Sequence, residues 1–139
     1  MPKFMFIMRA TDAAHEAFAE VDFTEVVGLM GRYNDELIEA GVLLAAEGLA
    51  PATEGVVIDF DTTPPVVTDG PYGETHELFD GFWLVDVPDQ ATAVEWAKRA
   101  PCGPGVKIEL RRVPSIDEFP QDNEYIQRER AWRERTGNL

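Results

Sequence analysis

The densest run of reactive side chains lies between Asp69 and Glu77, where the chain reads DGPYGETHE and gathers Asp69, Glu74, His76 and Glu77. An imidazole titrates near neutral pH, so His76 is a candidate general base or acid, oriented by Glu74 or Asp69. The same residues also suit a plain turn: Asp69 satisfies local backbone donors, Glu74 pairs with a helix end, and His76 stays in solvent. Glu47 is the second candidate. It interrupts the apolar stretch VLLAAEGL, where an ionised carboxylate is costly unless paired. It reads either as a ligand-facing acid or as an outward-facing or dimer-paired side chain. Tyr33 and Asn34, together with Trp83, can line the same cavity as Glu47.

Other chemistries lack their residues. His15 and His76 are far apart in the chain and no Cys/His cluster has zinc-like spacing, so no metal is expected. No Walker or dinucleotide glycine fingerprint is present, and no cofactor is expected. Cys102 stands in Cys-Gly-Pro-Gly, which reads better as a loop than as a nucleophile site. A formal net charge of −14 repels phosphate backbones and anionic lipid surfaces, so neither nucleic acid nor membrane is an expected partner. No stretch approaches the ~20 apolar residues of a membrane span, and the single cysteine cannot form an internal disulfide. The expected location is the cytoplasm.

The elements that must hold these residues follow from periodicity. Lys3 to Arg9 (KFMFIMR) reads as a strand, and Asp12 to Glu20 as a short helix or an ordered loop. A helix starts near Asp22, which has capping-box spacing with Glu25, and Val26, Met30, Tyr33 and Leu37 form its apolar stripe. Gly41 is its left-handed stop. Val42 to Leu49 is a strand, and Val56 to Phe60 with Val66 to Thr68 make a hairpin about Thr63-Pro64-Pro65. Gly81 to Val87 is a strand, and a helix capped by Asp89 runs to Ala100. Val106 to Val113 alternates apolar and charged residues, so one face of that strand is wet.

The order is strand, helix, strand, inserted hairpin, strand, helix, strand, which predicts an α+β, ferredoxin-like split βαβ domain over residues 1–114. Two helices cover one face of its sheet. Yet Phe4 to Ile7 and Phe82 to Val85 are apolar on both faces, which predicts a second subunit and hence a homodimer. Residues 115–139 form a C-terminal extension, expected to be helical in part. Its segment QRERAWRER carries two more positive than negative charges. That suits either docking on the acidic body of its own dimer or an arm for another protein.

DGPYGETHE resembles the signature of the YCII-related family, in the branch named for an Asp-Gly-Pro-Phe motif with the longer form DGPFAETKE. The resemblance continues through RYNDEL (Arg32 to Leu37), AGVLLAAEGLAP (Ala40 to Pro51), GFWLVDV (Gly81 to Val87), AVEWAKRAP (Ala93 to Pro101) and RRVPSIDEF (Arg111 to Phe119). It implies a ferredoxin-like fold and a dimer whose sheets pack into an α/β barrel. It fixes no reaction. Some members occur in genetic association with alternative sigma factors, and another branch includes a dehydrochlorinase-like enzyme with a histidine–aspartate pair, its histidine on the first helix. The main helix here, Phe23 to Ala40, has no histidine, so that pair is not expected. Within the motif, Tyr72, Gly73 and His76 stand where the branch has phenylalanine, alanine and lysine. Two classes of function fit these readings. One binds or transforms a small molecule in a pocket between the sheet and the first helix of a homodimer. The other is an accessory or regulatory module working through protein contacts, connected with sigma-factor signalling.

Overall fold

The computed structural model describes residues 1–70 and 77–139. Among the described residues, six strands and four α-helices are arranged as β1 (Lys3–Thr11), α1 (Asp12–Ala19), α2 (Phe23–Glu39), β2 (Leu43–Gly48), β3 (Val56–Asp59), β4 (Val66–Asp69), β5 (Glu77–Asp86), α3 (Gln90–Lys98), β6 (Val106–Val113) and α4 (Glu124–Thr136). The fold is α+β. Strands β2, β5, β1 and β6 form one sheet in that order, with every neighbouring pair antiparallel. Strands β3 and β4 pair only with each other, as the inserted hairpin.

The pleat sorts the apolar residues onto two faces. Phe6 pairs with Trp83 and Phe4 with Val85, and these four face α2 and α3, where Tyr33, Leu37 and Ala93 complete the core. Phe6, Leu37 and Val85 are wholly buried, each contributing roughly 1.5–3 kcal/mol by leaving water. Met5, Ile7, Phe82 and Leu84 alternate onto the opposite face, where Ile7 is buried and the other three are half-buried. On β6 the same face carries Lys107 and Arg111, 74% and 71% exposed, so that edge is wet.

Local chemistry sets the helix starts. Asp22 caps α2 by accepting from the Thr24 amide, and Gly41 leaves the helix at φ 73°. Asp89 caps α3 through the Thr92 amide, and Asn123 caps α4 through the Tyr125 amide. The segment from Asp12 is an α-helix rather than a loop: Thr11, still extended, accepts from the Ala14 amide and begins the turn. Gly105, at φ 85°, lies against that turn, where a Cβ would sit 2.8 Å from Thr11 Oγ1 and 2.9 Å from Ala14 Cβ. Its carbonyl accepts from the Thr11 amide, so β6 fixes where α1 begins.

Candidate functional site

Two features meet near the start of β5. The first is a break in its pairing with β1. Met8 pairs with Gly81 and Arg9 with Phe79, so Asp80 is an extra residue, a bulge. Bulges redirect the side chain they carry. Asp80 Oδ2 lies 2.6 Å from His15 Nε2 of α1. Both side chains are part-exposed, at 27% and 38%, so solvent and ligands reach them. The contact orients the imidazole with Nε2 toward Asp80 and Nδ1 away from it.

The second feature is a cavity of about 270 Å³ between α2 and the sheet. Met30 and Asn34 contribute from α2, Met8 from β1, Ala46, Glu47 and Gly48 from β2, and Gly81, Phe82 and Trp83 from β5. Met8 and Gly81 are the pair beside the bulge, so the histidine–aspartate pair adjoins the wall of this cavity along the chain. Gly81 is required there. A Cβ on it would stand 2.7 Å from the Glu47 carbonyl oxygen, so glycine lets β2 and β5 approach at this point.

A polar relay backs the cavity. Trp83 is 5% exposed, and its Nε1–H donates to Asn34 Oδ1 at 2.8 Å. Tyr33 stacks edge-on against Trp83, ring centroids 5.3 Å apart and planes at 89°, and its hydroxyl donates to the Trp96 carbonyl at 2.8 Å. Burial pushes the Tyr33 hydroxyl up to about 12, so it stays neutral throughout the physiological range. Burial likewise raises the Cys102 thiol, which disfavours the thiolate a nucleophile needs. At the start of β5, Lys107 hydrogen-bonds Glu77 and holds its carboxyl below the usual range.

Of the residues singled out from sequence, Glu47, Asn34 and Trp83 line this one cavity. Tyr33 is core, 3% exposed, and reaches the cavity only through Trp83. Asp69 ends β4 on the hairpin, exposed, and is not a lining residue. Glu74 and His76 lie outside the described residues. The contact between His15, on the short first helix α1, and Asp80 was not singled out from sequence; the main helix α2 has no histidine. The signal for α1 was the Thr11 cap ahead of DAAHEAFA, and for Asp80 an acid beside Gly81 at a strand entry. Among the described residues no three His, Cys, Asp or Glu side chains converge as a metal site. No described helix is long and apolar enough to cross a membrane.

A family model described as "YCII-related domain" matches residues 3–115. An uncharacterized protein of Rhizobium meliloti (strain 1021) is 25% identical over 87 residues, covering 63% of this chain and 70% of its own length.

Proposed function

The chain belongs to the YCII-related family, and from that premise we propose that it binds a small molecule in the cavity between α2 and the sheet, where His15, oriented by Asp80, moves a proton to or from it. The observation that carries the reading is the 2.6 Å pair between a helix and a strand bulge 65 residues apart. A bulge costs the sheet a regular pair, and here it aims a carboxylate at an imidazole, the side-chain type best suited to moving protons near neutral pH. The resemblance drawn above supplies the parallel, since one branch of the family includes a dehydrochlorinase-like enzyme that uses such a pair, with its histidine on the first helix.

Asp69, Glu74 and His76 enter this proposal as a second source of polar groups. The segment they occupy runs into Glu77, which pairs with Thr11, the cap of the helix that carries His15. Glu47 borders the cavity on its β2 side.

We read the four-stranded arrangement as the ferredoxin-like split βαβ of residues 1–114, and the partly exposed apolar face bearing Met5, Phe82 and Leu84 as the surface joining two copies into an α/β barrel. Light scattering at micromolar concentration should return the mass of a dimer; a stable monomer at that concentration removes the barrel. A second reading, a protein-contact module, draws on α4, where Tyr125 is 66% and Trp132 49% exposed beside arginines. The cavity favours the first reading. Its test is a thermal-shift screen of small metabolites on the wild type and on Ala46→Phe, which fills the cavity. A ligand that raises the melting temperature only of the wild type supports it. Ligands that stabilise both proteins alike place binding elsewhere.

A further inference from the structure

Asn34 is the cavity's one neutral polar side chain, and its orientation is not free. A side-chain amide can ordinarily turn over and exchange its oxygen for its nitrogen. Here the neighbour is an indole, which only donates. Trp83 Nε1–H meets Asn34 Oδ1 at 2.8 Å. Turning the amide over would set two donors against each other and leave the buried indole unpaired, which costs more than a lost hydrogen bond. Trp83 cannot swing away to relieve it, because its ring is buried and held edge-on by Tyr33, itself anchored on the Trp96 carbonyl.

With Oδ1 committed to Trp83, the two Nδ2 hydrogens are the amide's remaining capacity, and among the described residues they meet no acceptor. The cavity's side chains on the helix side of the sheet are thioether, methyl and aromatic: Met8, Met30, Ala46 and Trp83. Glu47 also borders the cavity, but it pairs with Phe82, so its side chain lies on the sheet's other face; the net charge of −14 is what disfavours an anionic ligand.

We propose that Asn34, locked by Trp83, is the ligand-orienting donor of this cavity and selects a neutral carbonyl compound with a flat apolar body. Asn34 touches the ligand; Trp83 is a positioning residue. The inference rests on the cavity being a ligand site and not on the proton transfer assigned to His15.

The test uses acetophenone, α-methylstyrene (the same shape with a methylene for the carbonyl oxygen) and benzoate. NMR of the ¹⁵N-labelled protein follows the Asn34 side-chain amide and the Trp83 indole. Acetophenone is expected to move both signals saturably and to bind about tenfold more tightly than α-methylstyrene, the worth of one neutral hydrogen bond. Benzoate is expected to bind more weakly than acetophenone. Asn34→Asp keeps an oxygen for the Trp83 indole but loses the donor, so the preference for acetophenone should vanish while α-methylstyrene binds as before. Trp83→Phe frees the amide and should also flatten the preference. The indole signal of Asn34→Asp reports that the variant is folded. Equal binding of acetophenone and α-methylstyrene to the wild type, or tighter binding of benzoate, overturns the assignment to Asn34 while leaving the cavity a ligand site. Absence of any shift with all three probes overturns both.

Discussion

Removing one oxygen from the core tests the relay behind the cavity. In Tyr33→Phe the ring remains, so its edge-on contact with Trp83 is kept and only the hydroxyl bond to the Trp96 carbonyl is lost. That carbonyl still accepts from the Arg99 amide at 3.1 Å, so it is not orphaned. The expected cost at pH 8 is therefore the net value of one hydrogen bond, about 1 kcal/mol. The pH dependence is more diagnostic. Burial raises the Tyr33 pKa from 10.0 to about 12. For an acid whose folded pKa is raised, stability is fully present below the unfolded value and is lost as pH climbs between the two. The wild type should thus lose about 1.4 kcal/mol by pH 11 through this group alone, one pKa unit's worth, and more above that. The variant has no such group. The two proteins should converge near pH 11 and exchange order above it, because all other titrations are common to both. Paired urea melts at pH 8, 10 and 11.5 measure this. A gap that stays constant across the series, or is absent at pH 8, would refute the buried hydroxyl and its role in fixing Trp83.

Two further outcomes follow from contacts of single residues. Gly81→Ala drives a methyl to within 2.7 Å of the Glu47 carbonyl, so β2 must shift; thermal melts should show roughly 1–3 kcal/mol of lost stability. Glu118 accepts from Arg112 and from the Ser115 amide, which together hold its carboxyl down to about 2. A depressed carboxyl stabilises the fold above its unfolded pKa and ceases to as pH falls towards 2. Acid melts of Glu118→Gln should therefore start lower at neutral pH and fall less steeply between pH 4.5 and 2.5 than the wild type.

The sequence carried most of the fold because its elements advertise themselves. The Val26, Met30, Tyr33 and Leu37 stripe predicts α2, and its last two residues are indeed the buried ones. The alternation from Val106 to Val113 predicts β6 to the residue. The hairpin about Thr63-Pro64-Pro65 is likewise present as β3 and β4. Part of the site was equally legible, since Asn34 and Trp83, which hydrogen-bond to each other, are polar or amphipathic groups in otherwise apolar elements. What escaped was set by contacts distant in sequence. Helix α1 spans eight residues, is rich in alanine and buries only Ala14, so it has no stripe to read. Asp80 precedes the apolar run of β5, and only pairing with β1 makes it a bulge. Their meeting depends on the cap at Thr11 and on Gly105 beneath it, neither of which any periodicity reports.

Deuterium exchange at carbon tests the proton transfer itself. Acetophenone carries methyl hydrogens next to its carbonyl, and their replacement in D₂O is followed by the loss of the methyl proton signal. The wild type should exchange them faster than buffer. His15→Gln should lose about 10²–10⁴-fold, or fall to the buffer rate if that is reached first, the range expected of a positioned general base. Asp80→Asn should retain part of the rate, because it misorients the imidazole without removing it. If acetophenone occupies the cavity, as judged by the Trp83 indole signal, yet His15→Gln exchanges its methyl as fast as the wild type, the role assigned to His15 and Asp80 is wrong.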